Sequence, residues 1–504
     1  MTFEISFKIK RYYLALQIIS NFLMKPNPIK LFTFFLALFI FSEKDLSAQE
    51  MTGISHSNFS GNMGMHFNPS LFVGSPYLYE FNILSGDIFI DNNYMYRKRL
   101  SERFDDVDNS DGSNDSQIGT YDDESVMNGY SSILLRGPSY IRNDEKFSWG
   151  VHTALRSATS VTDAPTHLMK FIKEGYDYAP QHDQIFESGP FRSASMVWGE
   201  LGGTYGKKIY EVREKKYLAF AATLKLIGGF DAAFVDFEEL KYLVTSADSF
   251  DLDVLSTTGT YGHSFTDDEN TLKKPFKLRG YGVGIDFGLT YYHKRKHGAG
   301  DCNKSAENLK KYVFRTGISV IDVGAVKFGK QAETYAFSSN NFLWPQIDDA
   351  NINSVAEFDT TVSQFAFASP VGSAEDDKLT IWLPSAVALD FDYCIAPRFY
   401  ANAATVISMP LSNTSIVRSS LLSITPRYET RTLEVSMPFL LHEFQTPHLG
   451  LAVRYKWFVI GSDRLGAFTG IWNNTGYDLF FGFKWNVCER GGKRSPSCPA
   501  YSRL

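Results

Sequence analysis

The residues of this chain best placed to do chemistry are charges set singly among small and apolar neighbours. Asp286, Arg315, Asp390, Asp392, Arg427, Glu429, Arg431, Arg454 and Lys456 are isolated charges in stretches that otherwise alternate apolar with small or polar residues. Arg427, Glu429 and Arg431 flank Tyr428 at a spacing of two, which puts all three on one face of an extended strand. Such charges have two readings. They pair across neighbouring strands and fill an interior, or some line a conduction path and set its selectivity.

Other groupings carry less. Asp106, Asp108 and Asp111 before Gly112 resemble a calcium loop, but Ser110, Asp111 and Gln117 occupy positions where such a loop needs a ligand, a Gly and a Glu. Gly280, Gly282 and Gly284 lie inside an alternating strand pattern. They do not form a turn leading into a helix, so they read as close backbone approach or a smooth face rather than a nucleotide loop. His442, Glu443 and His448 lack the spacing that sets two imidazoles on one helical face. His56, Ser57 and Asn58 could suggest a serine hydrolase, but they precede the first strand and no catalytic set is convincing. No cofactor and no metal ligand set is assigned. Cys488 and Cys498 share the C-terminal tail and can form a local disulfide in an oxidising compartment, whereas Cys302 and Cys394 have no evident partner.

The elements that position these charges are strands. Tyr281, Val283, Ile285, Phe287, Leu289 and Tyr291 alternate with Gly282, Gly284, Asp286, Gly288 and Thr290, giving one apolar face and one small or polar face. The pattern recurs over Phe147–Arg156, Tyr217–Leu226, Tyr312–Val320, Val387–Tyr393, Leu449–Trp457 and Tyr477–Trp485. It continues less strictly through Tyr77–Tyr96, Ser131–Ile141, Ala194–Tyr210, Arg398–Ile407, Leu421–Thr430 and Leu433–Leu441. Many segments run roughly 9 to 15 residues, matching the ~9–11 that a tilted strand needs to cross a bilayer. Short turns at Asn143–Lys146, Glu211–Lys216 and Ala396–Pro397 alternate with long connections at Lys98–Tyr130, Ala158–Phe191, Phe237–Lys277 and Gly329–Lys378. That is the rhythm of a membrane barrel with periplasmic turns and extracellular loops. Helical patterning is confined to Thr166–Gly175 and Asp348–Phe365. The reading is one all-β chain: a single antiparallel transmembrane β-barrel of about 14 strands, apolar face outward.

Composition agrees. The 504 residues are 44% hydrophobic and 15% aromatic, with 21% charged and a net charge of −6. This excludes a disordered chain, and it gives no support to nucleic acid as a partner. Leu31–Phe41 is an apolar run preceded by Lys25 and Lys30 and followed by a short polar stretch, the order of a secretory signal peptide over residues 1–48 whose true start can be Met24. Residues 49–76 are then a candidate plug, 77–487 the barrel and 488–504 a tail. The expected location is the outer membrane of a Gram-negative bacterium.

Gly53–Gly61 (GISHSNFSG) followed by His66–Leu71 (HFNPSL) resembles the opening of an uncharacterised outer-membrane barrel family of Bacteroidota. Ala154–Ser160, Gly280–Asp286, Ile321–Gly324, Leu383–Ala386, Thr425–Glu429 and Phe458–Asp463 extend the resemblance in order along the chain. More distantly, Asn68-Pro69 is similar to the start of FadL-like hydrophobic-substrate transporters and of PorV-like barrels of type IX secretion. The resemblance implies an outer-membrane barrel with no assigned activity, in contact with outer-membrane lipid. Two functions follow from barrel and resemblance together. One is a channel or transporter for small or hydrophobic molecules. The other is a structural barrel that docks a surface or secretion complex through its loops.

Overall fold

The computed structural model describes residues 51–73, 75, 77–100, 118–121, 126–144, 147–174, 178–212, 216–246, 250–264, 276–293, 312–344, 359–360, 363–364, 374–430 and 432–487. The expected leader, the tail with Cys488 and Cys498, the acidic triplet Asp106, Asp108 and Asp111, and Arg431 lie outside them.

The described chain is nearly all strand. β1 (Tyr79–Asn92) is followed by a small hairpin, β2 (Met95–Arg97) and β3 (Ile118–Thr120). Then come β4 (Val126–Asn143), β5 (Phe147–Pro165), β6 (Ile185–Ser188), β7 (Phe191–Val212), β8 (Lys216–Ser246), β9 (Phe250–His263), β10 (Gly280–His293) and β11 (Phe314–Trp344). Shorter strands complete the chain: β12 (Ala374–Trp382), β13 (Ala386–Ala396), β14 (Phe399–Ser408), β15 (Leu421–Glu429), β16 (Leu433–Ser436) and β17 (Phe439–His442). The last four are β18 (Thr446–Leu449), β19 (Leu451–Tyr455), β20 (Phe458–Ser462) and β21 (Tyr477–Val487).

Antiparallel pairing runs β1–β4–β5–β7–β8–β10–β11–β13–β14–β15–β16–β19–β20–β21 and closes from β21 back to β1, from Tyr79 opposite Val487 to Ile90 opposite Tyr477. That ring has fourteen wall positions. β9 sits above β10 between β8 and β11, and β12 sits above β13 against β11, so sixteen strands build it. Closure leaves the ring with no free edge.

The alternation sorts as expected. Tyr281, Val283, Phe287 and Leu289 are exposed on β10, while Asp286 and Thr290 are buried on its inner face. Ile88, Leu135, Trp149, Val151, Leu226, Ile318, Ile424, Ile460, Leu479 and Trp485 extend the outer apolar belt around the ring. An apolar outside over a polar, charged inside is the signature of a transmembrane barrel. Among the described residues no helix is long and apolar enough to cross a membrane.

Two expectations need correction. The connections read as long loops at Ala158–Phe191, Phe237–Lys277 and Gly329–Lys378 are in large part strand. β8 and β11 are each 31 residues long, and β9 pairs with the upper part of both. Glu238 and Glu239 are exposed on β8 and interrupt the apolar alternation there, next to a register shift between Phe237 and Glu239. Cys394 is disulfide-bonded, to a cysteine outside the described residues, although its sequence position suggested no partner. The helix expected over Thr166–Gly175 runs Thr166–Glu174.

Residues 51–73 lie inside the ring. They form α1 (Thr52–Ser55), α2 (Asn62–Met65) and a 3-10 turn at Pro69–Phe72, and almost all are buried. Asn68 caps the turn, accepting from the Ser70 amide at 2.9 Å, and Pro69 takes the first helical position, where its missing N–H costs nothing. Phe67 and Leu71 pack on Ile321, Ala386, Ala388, Ala404 and Val406. Gly288 and Gly317 face Asn68 so closely that a Cβ at either would overlap it, so glycine is required there for the segment to lie against the wall.

Candidate functional site

The lumen holds three linked polar layers and one apolar layer. The most connected polar group is Asp322 on β11. The β10–β11 ladder shifts register between Ile285 and Phe287, and Asp322 takes a left-handed φ of 55° there. Its carboxylate receives Arg156 from β5 at 2.9 and 3.0 Å, Lys225 from β8 at 2.6 Å and Arg418 at 2.6 Å. Its amide donates to Asp286 at 2.7 Å, and Lys225 also reaches Asp286 at 2.8 Å. Glu200 on β7 adds a contact to Arg156 at 3.5 Å, and the Arg156 guanidinium lies 4.8 Å above the Trp198 ring. Arg418 comes from residues 409–420, which fold inward between β14 and β15. The Val417 amide there donates across the lumen to Ser160 at 2.9 Å.

The second layer lies on the short strands. Arg427 grips Asp392 through both terminal nitrogens at 2.9 and 2.8 Å and donates to Glu429 at 2.9 Å. Arg315 stands 3.4 Å from Asp392 and 3.9 Å from Asp390, and it donates to the His56 carbonyl. In the third layer Arg454 donates to Glu434 at 2.9 Å and covers the Phe59 ring at 4.4 Å. Ser57 donates to Glu434 at 2.7 Å, and Lys484 donates to the carbonyls of Phe59 and Ser60.

Of the charges singled out in the sequence, Asp286, Arg315, Asp390, Asp392, Arg427, Glu429 and Arg454 are all buried on the inner face. Lys456 does not join them. It sits in the turn between β19 and β20 with a left-handed φ of 54°, which ends the alternation before it, and its ammonium lies over the outward Tyr455 ring at 5.3 Å. Asp322, Arg156, Lys225, Glu200 and Arg418 were not singled out, yet they form the densest cluster. Arg156 and Lys225 carried a readable signal, being inward by parity in strands already recognised. Arg418 carried none, since its segment reads as a loop. His56 packs edge-on against Phe67 at 4.3 Å and Ser57 is engaged by Glu434, so no serine–histidine pair forms there.

The apolar layer lies beyond the Asp322 cluster, on the side away from the short turns. Trp198, Met196, Ile227, Ala232, Phe234, Val326, Phe328, Leu379, Ile381, Leu383 and Ile416 are buried together inside the ring. Ala232 and Phe328 flank the level at which, among the described residues, the wall position shared by β9 and β10 has no strand pairing between His263 and Gly280; Ser264 donates to the Ala232 carbonyl at 2.9 Å and Arg279 to those of Gly229 at 2.9 Å and Phe230 at 3.0 Å.

No curated protein matches the chain in sequence. Among solved structures it is similar to a ΔS2S3 mutant of the TodX monoaromatic hydrocarbon channel, at 11% identity over 85% of this chain and 95% of that one, with a TM-score of 0.40. The Pseudomonas putida toluene transporter TodX follows at 10% identity, 87% and 95% coverage and a TM-score of 0.37. A Pseudomonas aeruginosa FadL homologue gives 10% identity, 88% and 98% coverage and 0.28. The family comparison is decisive where these are distant: a single family model matches residues 67–463, from the Asn68-Pro69 turn to the end of β20, and the chain belongs to that family of unknown function, DUF5723.

Proposed function

We propose that this protein is an outer-membrane barrel that passes small hydrophobic molecules through its wall rather than ions through its axis. The observation that carries the reading is the buried apolar layer, Trp198 to Ile416, at the level where the β9–β10 wall position is interrupted. Below it the axis is occupied by residues 51–73 and three layers of paired charges, a poor environment for an apolar solute. A molecule that enters the apolar layer from outside has a favourable exit sideways, toward lipid, and an unfavourable one straight down.

The test is entry of a hydrophobic fluorescent dye, N-phenylnaphthylamine, into cells that display the barrel. Ala232→Trp and, at a second buried residue of the same layer, Ala194→Trp fill the apolar layer and should slow entry at least ~10-fold while the folded barrel keeps its shifted mobility on unboiled gels. Equal entry in wild type and both folded variants would sink the proposal. A second reading is favoured by one observation: β8, β9 and β11 rise well past the height that spans a bilayer. That surface suits docking of a partner protein such as a surface or type IX secretion complex. It predicts a co-purifying partner lost on shortening the β8–β9 hairpin, with dye entry unchanged.

A further inference from the structure

We propose that His263, Glu333 and Asp359 bind one divalent cation of the zinc class on the outer face of the sheet, beside the interruption between β9 and β10. The site stands apart from the lumen and from the transport reading. His263 is the last residue of β9 and lies directly opposite Glu333 on β11 and Ala233 on β8. Inward residues on β8 at this height are Ala232, Phe234 and Asp236, so Ala233, His263 and Glu333 point outward. Asp359, distant in sequence, meets them there.

One donor atom from each of the three lies within 4.8 Å of the others. His263 Nε2 is 3.0 Å from Asp359 Oδ2. Ligands bound tetrahedrally at ~2.0–2.2 Å stand about 3.4 Å apart, so a donor pair as wide as 4.8 Å would draw together by about 1.4 Å around a cation. The carboxylates are already oriented from behind. Tyr261 donates to Asp359 Oδ1 at 3.1 Å and Tyr335 to Glu333 Oε2 at 2.5 Å, and the two phenol rings stack at 4.9 Å. Outer partners of this kind fix the direction of metal-binding carboxylates.

Charge balance is the second argument. His263 and Asp359 are buried, and Glu333 is half-buried. Among the residues whose side chains are described, no lysine or arginine forms an ion pair with either carboxylate, and His263 is the one basic partner of Asp359. The lumenal acids Asp286, Asp322, Asp392, Glu429 and Glu434 each face one. Two close carboxylates, one buried and one half-buried, favour a positive partner. One imidazole with two carboxylates is a donor set for zinc-class ions, with a position left for water on the half-buried Glu333 side.

The experiment is equilibrium dialysis of the tag-free, full-length folded protein in detergent against Zn2+ alone, with metal counted per chain. Wild type should hold one Zn2+, removable by EDTA, with an X-ray absorption spectrum of one nitrogen and several oxygen neighbours. His263→Gln and Asp359→Asn keep side-chain size and should each lose the ion. Tyr335→Phe leaves all three donors in place and should weaken binding about 10-fold. No bound Zn2+ in wild type, sulfur among its neighbours, or undiminished binding in the His263 and Asp359 variants would overturn the site.

Discussion

The two arcs of the barrel wall enclose one lumen but are built to different heights. From β4 to β11 the strands reach 18, 19, 22 and 31 residues, whereas β13 to β21 run 4 to 11. The short arc has little more than a bilayer demands, about 9 to 11 residues for each full crossing. The tall arc carries additional structure above that level. α3 (Thr166–Glu174) sits there with Phe171 packed on Tyr242 and Val244, and Tyr261, Tyr335 and Phe337 make a second aromatic cluster. The lumenal chemistry does not follow this asymmetry: Asp322 on the tall arc and Asp392 on the short arc both gather buried guanidinium groups. Membrane thickness therefore sets the lower wall of both arcs, and packing above the membrane sets the rest of one.

Four experiments break or sharpen this contrast. Asp322→Ala leaves Arg156, Lys225 and Arg418 without their common partner and should cost about 3–5 kcal/mol, enough to lower the heat-shift temperature of the whole barrel on gels. An unchanged temperature would mean that the cluster is not structural. Arg427→Lys on the short arc keeps the charge but loses the two-pronged grip on Asp392. It should cost about 2 kcal/mol in urea unfolding.

The third concerns the tall arc alone. His167 on α3 bonds the Tyr242 hydroxyl at 2.8 Å and stacks on Phe186 at 4.6 Å, and burial pushes its imidazole down to about 4. Its folded value lies below its unfolded ~6.5, so its contribution is complete above ~6.5 and is lost as pH falls toward 4. Hydrogen exchange over Thr166–Glu174 should quicken between pH 7 and pH 4.5 while β13–β15 stay protected, and His167→Phe should remove that dependence. Equal quickening in both arcs would erase the distinction. Lys456→Ala, in a turn over an outward ring, should change stability by less than about 0.5 kcal/mol.

Much of the lower wall was legible because lipid on one side and a filled polar lumen on the other impose a strict two-residue rhythm. Asp286, Asp390 and Asp392 could be placed by parity alone. Parity fails where the backbone leaves the strand conformation, which is why Lys456 was misplaced and Asp322, at a register shift, was passed over. In the upper sheet the rhythm breaks at the β8–β9 register shifts between Phe237 and Glu239 and between Lys241 and Tyr242. The cation site was not visible for a different reason: His263, Glu333 and Asp359 are scattered along the chain, and only the β9–β11 pairing brings the first two together.

The inner segment also constrains the order of events as the protein forms. The amides of Thr52 and Gly53 rest on Asp463, just after β20, and Lys484 on β21 holds the carbonyls of Phe59 and Ser60. Asn62 meets Glu80 on β1 and Arg136 on β4. Residues 52–62 are therefore gripped by the first strands and by the last, the latter across separations of some 400 positions. They cannot reach their final seat until the ring's last strand has arrived. Filling the lumen and closing the wall become one late step, and a chain that depends on such remote contacts folds slowly.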